Sequence, residues 1–214
     1  MAMVSSTLRN TVSCGLLLLL SVPDLAAETP QKPELPGYST TAVISDFALE
    51  GGRGAIGVNV VAGDSNAQLN ARALAVSVGQ GVSATAQIKA SQHVGLPDNG
   101  PDSATSLIGG NAFSNASGLI SVNHASGVGN AQINDIAIGI AVGGVAVTES
   151  ELNLTVTGQP VSAALAGGSQ HREVSISDSA FTGSSGVVQI NQLAGSGNAT
   201  SNSFGLSVSL GAEE

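Results

Sequence analysis

The chain has 214 residues, enough for one domain or a short repeat array. Apolar residues make up 42%, against 10% charged and 2% aromatic, which argues against disorder and for a core of small and β-branched side chains packed in thin layers. A net charge of −9 with six Lys and Arg argues against binding nucleic acid or an anionic membrane surface, because phosphate contacts have few cations to draw on.

Residues 1–27 read as a signal peptide. Arg9 precedes an apolar run from Cys14 to Val22, and Leu25-Ala26-Ala27 fits small-residue cleavage before Glu28. The run is too short to span a bilayer as a helix, and no later segment is long and apolar enough to insert in a membrane. Cleavage removes Arg9, Asp24 and the one Cys, so the charge stays at −9 and no disulfide remains possible. Residues 28–40, with Pro30, Pro33 and Pro36, read as a flexible leader.

Three repeats follow. The first, 41–78, contains Gly54-Ala-Ile-Gly-Val-Asn59, then Gly63, then Asn66-Ala-Gln-Leu-Asn70. The second, 104–142, contains Gly118-Leu-Ile-Ser-Val-Asn123, Gly127 and Asn130-Ala-Gln-Ile-Asn134. The third, 172–214, contains Gly186-Val-Val-Gln-Ile-Asn191, Gly195 and Asn198-Ala-Thr-Ser-Asn202. The motif aligns without gaps and recurs after 64 and then 68 residues. Such a unit cannot bury its apolar face alone, whereas stacked units can. Ahead of the motif, Phe113 and Phe181 each lie five residues before their Gly. Phe47 lies seven before, so either the first repeat carries an insertion or Leu49 takes the Phe place.

Inside each repeat the apolar residues alternate, which predicts strands. Asn202, Phe204, Leu206, Val208 and Leu210 share one face, as do Asn134, Ile136, Ile138, Ile140 and Val142. Gly195 to Asn198, and its counterparts, supply a tight turn or arc between two strands. Residues 79–103 and 143–171 read as linkers. Pro97-Asp-Asn-Gly-Pro101 breaks the first, and Val145–Thr148 and Leu152–Val156 could add strands to the second. The predicted fold is all-β, a three-rung β-solenoid of stacked cross-β repeats.

Stacking in register at about 4.8 Å aligns Asn59, Asn123 and Asn191 in one column, with Asn66, Asn130, Asn198 and Asn70, Asn134, Asn202 in two more. An amide both donates and accepts, so like amides satisfy one another where like charges would repel. The effect is on register, since a one-residue slip leaves every amide unpaired. Asn66, Asn130 and Asn198 fit a turn as well as a ladder. Asn59, Asn123 and Asn191 sit inside apolar alternation and fit the ladder better. Phe113 and Phe181 are placed to stack in the same way.

The signal peptide, the three Asn-rich repeats and the intervening linkers resemble the Fap functional amyloids of Gram-negative biofilms; Gly186–Asn202, GVVQINQLAGSGNATSN, is the closest stretch. The repeats are more distantly similar to those of curlin. The resemblance implies a secreted, extracellular or cell-surface protein exported through an outer-membrane pore. Its partners would be copies of itself or homologous fibre subunits. Two departures point to an accessory or minor component. Residues 28–214 lack the Cys-x-x-Cys of the major subunit, and Arg72 stands where the other repeats have Ile136 and Phe204.

Catalytic, cofactor and metal chemistry find no pattern to rest on. His93, His124 and His171 are scattered, and His124 replaces Val60 and Gln192 at one repeat position, which reads as a surface variant. Asp46 and Asp178 read as strand-end residues, and no nucleophile has an orienting partner. A polysaccharide-cleaving β-helix would need aromatic platforms, and one Tyr, four Phe and no Trp supply few. The alternative to a fibre subunit is a monomeric cell-surface adhesin or extracellular fibre chaperone, with Glu149 and Glu151 guarding against end-to-end growth.

Overall fold

The computed structural model describes residues 37–97, 100–158 and 170–211. The signal peptide at 1–27, most of the leader and residues 159–169 of the second linker lie outside the described residues. Eleven strands run in chain order: β1 (Ser39–Ile44), β2 (Arg53–Ala62), β3 (Ala67–Val78), β4 (Ser83–Gly95), β5 (Ser103–Ile108), β6 (Ser117–Ser126), β7 (Ala131–Val142), β8 (Val145–Thr157), β9 (His171–Ile176), β10 (Ser185–Ala194) and β11 (Ala199–Leu210).

The strands form four parallel sheets. The first is β1-β5-β9, the second β2-β6-β10, the third β3-β7-β11 and the fourth β4-β8. One turn of the coil is therefore β1 to β4, the next β5 to β8, and the last β9 to β11. The fold is the expected all-β solenoid-like stack of three rungs. Each repeat residue lies directly over its counterpart, as Asn59, Asn123 and Asn191 do in the second sheet. Leu49 takes the Phe place, and there is no insertion. The amides of Phe113 and Phe181 donate to the carbonyls of Ala48 and Ala112 at 2.8 and 2.9 Å, one residue ahead of Leu49 and Phe113. Leu49, Phe113 and Phe181 share a left-handed backbone at φ 57°, 59° and 59°. That conformation is unusual for bulky residues. It is held here by the backbone bonds between rungs and by the Phe113 and Phe181 rings, stacked with centroids 4.8 Å apart and planes 3° from parallel.

Three interiors separate the four sheets, and their chemistry differs. Between the first and second sheets lies the large apolar core, with Ile44, Ile108, Phe113, Ile120 and Val122. Between the second and third lie the amides. Between the third and fourth, Ala137 and Ala141 meet Ala84, Ala86, Ile88 and Ala146. Small side chains let β4 settle between β3 and β7, and β8 between β7 and β11. Residues 79–103 and 143–171, which read as linkers, each contribute one 13-residue strand to this fourth sheet. The strand-breaking Pro97-Asp-Asn-Gly-Pro101 falls just after β4.

Alternation predicts the strands of the third sheet, yet it does not say which face is covered. The fourth sheet covers the small-residue face. On the other face the second sheet covers only the first half, so Leu74, Val76 and Val78 are 69%, 62% and 75% exposed and Leu206 and Leu210 are exposed as well. The middle rung is the most enclosed, because β6 and β7 have a rung on either side.

Candidate functional site

The second and third sheets face each other across the arc made by Gly63–Asn66 and its counterparts. Eleven residues separate Asn59 from Asn70, Asn123 from Asn134 and Asn191 from Asn202, and the arc places each pair opposite one another. Asn70 Nδ2 donates to Asn59 Oδ1 at 2.9 Å, Asn134 Nδ2 to Asn123 Oδ1 at 2.9 Å, and Asn202 Nδ2 to Asn191 Oδ1 at 3.0 Å. Each second-column amide also donates to a backbone carbonyl across the arc, as Asn134 does to Val122 at 3.0 Å.

Between rungs the amides form one polar network. Asn123 Nδ2 donates down to Asn59 Oδ1 at 3.0 Å and Asn70 Oδ1 at 3.1 Å. Asn191 Nδ2 donates to Asn123 Oδ1 and Asn134 Oδ1, both at 3.1 Å. Asn134 donates to Asn70 at 3.1 Å and Asn202 to Asn134 at 2.9 Å. The third column, at the arc, runs the same way: Asn130 Nδ2 donates to Asn66 Oδ1 and Asn198 Nδ2 to Asn130 Oδ1, each at 2.9 Å. Asn123, Asn130 and Asn134 are fully buried. The sequence placed three separate columns. The cross-linking of the Asn59 and Asn70 columns was missed, and the constant spacing of eleven was its signal.

The network has a direction. From one asparagine to the next, in all three columns, the later rung donates and the earlier rung accepts; at the arc Asn66 Nδ2 and Asn130 Nδ2 also donate forward, to the Gly127 and Gly195 carbonyls. Among the described residues, Asn59 Nδ2 at the first-rung end has no acceptor, and Asn202 Oδ1 and Asn198 Oδ1 at the third-rung end have no donor. For asparagine-to-asparagine bonds, the first-rung end thus offers the Asn59 donor and the third-rung end the Asn198 and Asn202 acceptors.

The repeat glycines make the close approach possible. Gly54, Gly63, Gly118, Gly127, Gly186 and Gly195 all have positive φ, between 99° and 140°. A Cβ on Gly118 would sit 2.1 Å from the Gly54 carbonyl oxygen, and one on Gly127 would sit 1.8 Å from that of Gly195. A side chain on Gly63, Gly118, Gly127 or Gly186 pushes adjacent rungs apart.

His124 is not a surface variant. It is fully buried, with Nδ1 2.8 Å from Ser106 Oγ. Burial pushes it from 6.5 down to about 4. Position 124 alternates with the amide positions along β6, so it points toward the first sheet and the apolar core. Glu151 pairs with Lys89 of the first rung at 3.2 Å, and Gln87 donates to Glu149, so both acids face partners in the fourth sheet. Among the described residues no cluster of His, Cys, Asp or Glu could hold a metal, and no helix is long and apolar enough to cross a membrane.

The model of the "functional amyloid protein FapB/FapC family" matches residues 23–209. The chain is 33% identical over 116 residues to the functional amyloid subunit FapC of Pseudomonas aeruginosa. That alignment covers 52% of this chain and 34% of the relative, so the chain spans about a third of the relative's length. No solved structure matches it.

Proposed function

Because the chain belongs to the functional amyloid protein FapB/FapC family, we propose that it is a secreted structural protein whose copies add head to tail into an extracellular fibre of a biofilm matrix. The directed amide network carries this reading. By the same pairing, the first-rung amides of Asn59 and Asn66 and the third-rung acceptors of Asn202 and Asn198 are the two halves of one more inter-rung contact. A further copy repeats, at its own first rung, the bonding that rungs two and three already make. Among the described residues, the outer edges of β2, β3, β10 and β11 have no strand partner, which favours the same addition. The function is structural, with no catalytic step.

Export runs through an outer-membrane pore to the surface of a Gram-negative cell, after removal of residues 1–27. Partners are other copies or homologous subunits. Arg72, and the absence of Cys from residues 28–214, support a minor or accessory place in the fibre. Quantifying the chain against its homologue in isolated fibres tests that placement; an equal or greater amount of this chain overturns it. Assembly itself is tested by fibre diffraction on the purified chain lacking residues 1–27. The expected pattern has a meridional reflection near about 4.8 Å, and persistent monomer under seeding overturns the proposal.

A further inference from the structure

Beyond the amides, the next inward column of the third sheet reads Arg72, Ile136, Phe204 from the first rung to the third. Ile136 is 1% exposed between its two neighbours. Arg72 and Phe204 are half-buried, each with one side toward Ile136 and the other toward an end of the stack.

Arg72 reaches across the arc, and Nη2 donates to the carbonyl of Ile56. Gly57 leaves the space for it, since a Cβ there would lie 2.9 Å from Arg72 Nη1. The other rungs have Ser121 and Gln189 at that position. The cation is poorly compensated. Its Nε is buried without a hydrogen-bond partner, and among the described residues no carboxylate pairs with it, in a chain whose acids outnumber its bases by nine. Partial desolvation of a charge without a counter-charge costs stability. At the opposite end, Gln189, Ile190, Asn202 and Phe204 help line an open concavity of about 620 Å³.

We infer that a second copy of this chain docks its first-rung end against that concavity, with the Arg72 guanidinium lying on the Phe204 ring. This rests on the head-to-tail reading above. Residue 204 lies over 136 and 136 over 72 in one unbroken register, so the same register places Arg72 of the next copy one strand spacing, about 4.8 Å, beyond Phe204. A planar guanidinium stacks on an aromatic face, and the attraction strengthens when water is excluded. The contact also gives the joint a direction. Two first-rung ends would oppose Arg72 to Arg72, and two third-rung ends would oppose amide acceptors to amide acceptors. Only the head-to-tail joint matches cation to ring and donor to acceptor.

A double-mutant cycle on the residual monomer concentration at equilibrium with fibres tests the contact. Arg72→Met and Phe204→Leu are made singly and together, with Phe204→Tyr as the variant that keeps the ring. Phe204→Leu is expected to raise the residual monomer about fivefold more with Arg72 present than in the Arg72→Met background, the size of a cation–π contact of about 1 kcal/mol. Phe204→Tyr should stay within about twofold of the parent, which separates loss of the ring face from loss of the fold. Equal effects of Phe204→Leu in both backgrounds, with normal fibres from the parent chain, overturn the Arg72–Phe204 contact alone. Failure of the parent chain to form fibres overturns the head-to-tail reading and this inference with it.

Discussion

The two faces of the third sheet solve the stacking problem differently. On β7, Gln132 and Asn134 point at the second sheet, where each amide has a named donor or acceptor. Ala137, Gly139 and Ala141 point at the fourth sheet, where contact is close and has no preferred partner. The amide face sets register, because a slip leaves buried amides unpaired. The small-residue face sets distance. An Ala-Gly-Ala row looks nearly the same after a two-residue shift, so it cannot hold register by itself. A rung therefore needs both faces, one to choose the partner residue and one to let the sheets close.

The comparison breaks most sharply at Asn123. Asn123→Leu keeps the branching at Cγ and leaves Asn134 Nδ2, Asn191 Nδ2 and the Leu69 carbonyl each short of a partner. With a cost of about 1–3 kcal/mol per buried unpaired group, partly relieved by the remaining bonds, the expected loss is about 3–5 kcal/mol. Chemical denaturation of the parent and variant chains measures it. A loss under about 1 kcal/mol would mean that the amides are decoration on a stack held by its apolar core.

A second effect comes from the interior between the first and second sheets, where His124 is buried beside the apolar core. The unfolded chain takes up a proton below 6.5, while the folded chain resists until about 4. Stability from this residue is therefore intact above 6.5 and falls as pH drops toward 4, by about 1.4 kcal/mol per pH unit. His124→Gln places in rung two the residue that rung three carries at 192. The expected outcome is that the variant loses less stability than the parent between pH 7 and pH 4.5, read from denaturant midpoints. Identical slopes would show that the imidazole is protonated in place.

These contrasts also mark what the sequence could tell. Gap-free recurrence of Asn59, Asn123 and Asn191 was enough to read rungs, columns and the all-β class, because identical stacked residues must repeat at a fixed interval. The fourth sheet was harder. Ser83–Gly95 and Val145–Thr157 share little beyond alternating small residues, and they pair through backbone bonds that any side chain permits. His124 was misplaced for a related reason: the positions between the amides face a second interior, and a sheet covered on both sides has no solvent face for a variant to occupy. The exposed Leu74, Val76 and Val78 show the same limit in reverse. Alternation identifies two faces, but the length of the neighbouring strand decides which is covered.

The smallest effects separate the two faces within a few residues. A Cβ on Gly139 would lie 3.2 Å from the Val147 carbonyl oxygen and 3.4 Å from that of Ala84. Gly139→Val adds two methyl groups beyond that Cβ, so the fourth sheet must retreat or the strand must bend, at about 1–3 kcal/mol. Val76 pairs with Ile140, the next residue along β7, and points away from the fourth sheet at 62% exposure. Val76→Thr keeps the branched shape that suits a strand and changes the chain's stability by less than about 0.5 kcal/mol. Comparable losses at both positions would mean that the open apolar face is already covered in the isolated chain, and the assignment of distance-setting to the alanine face alone would then fail.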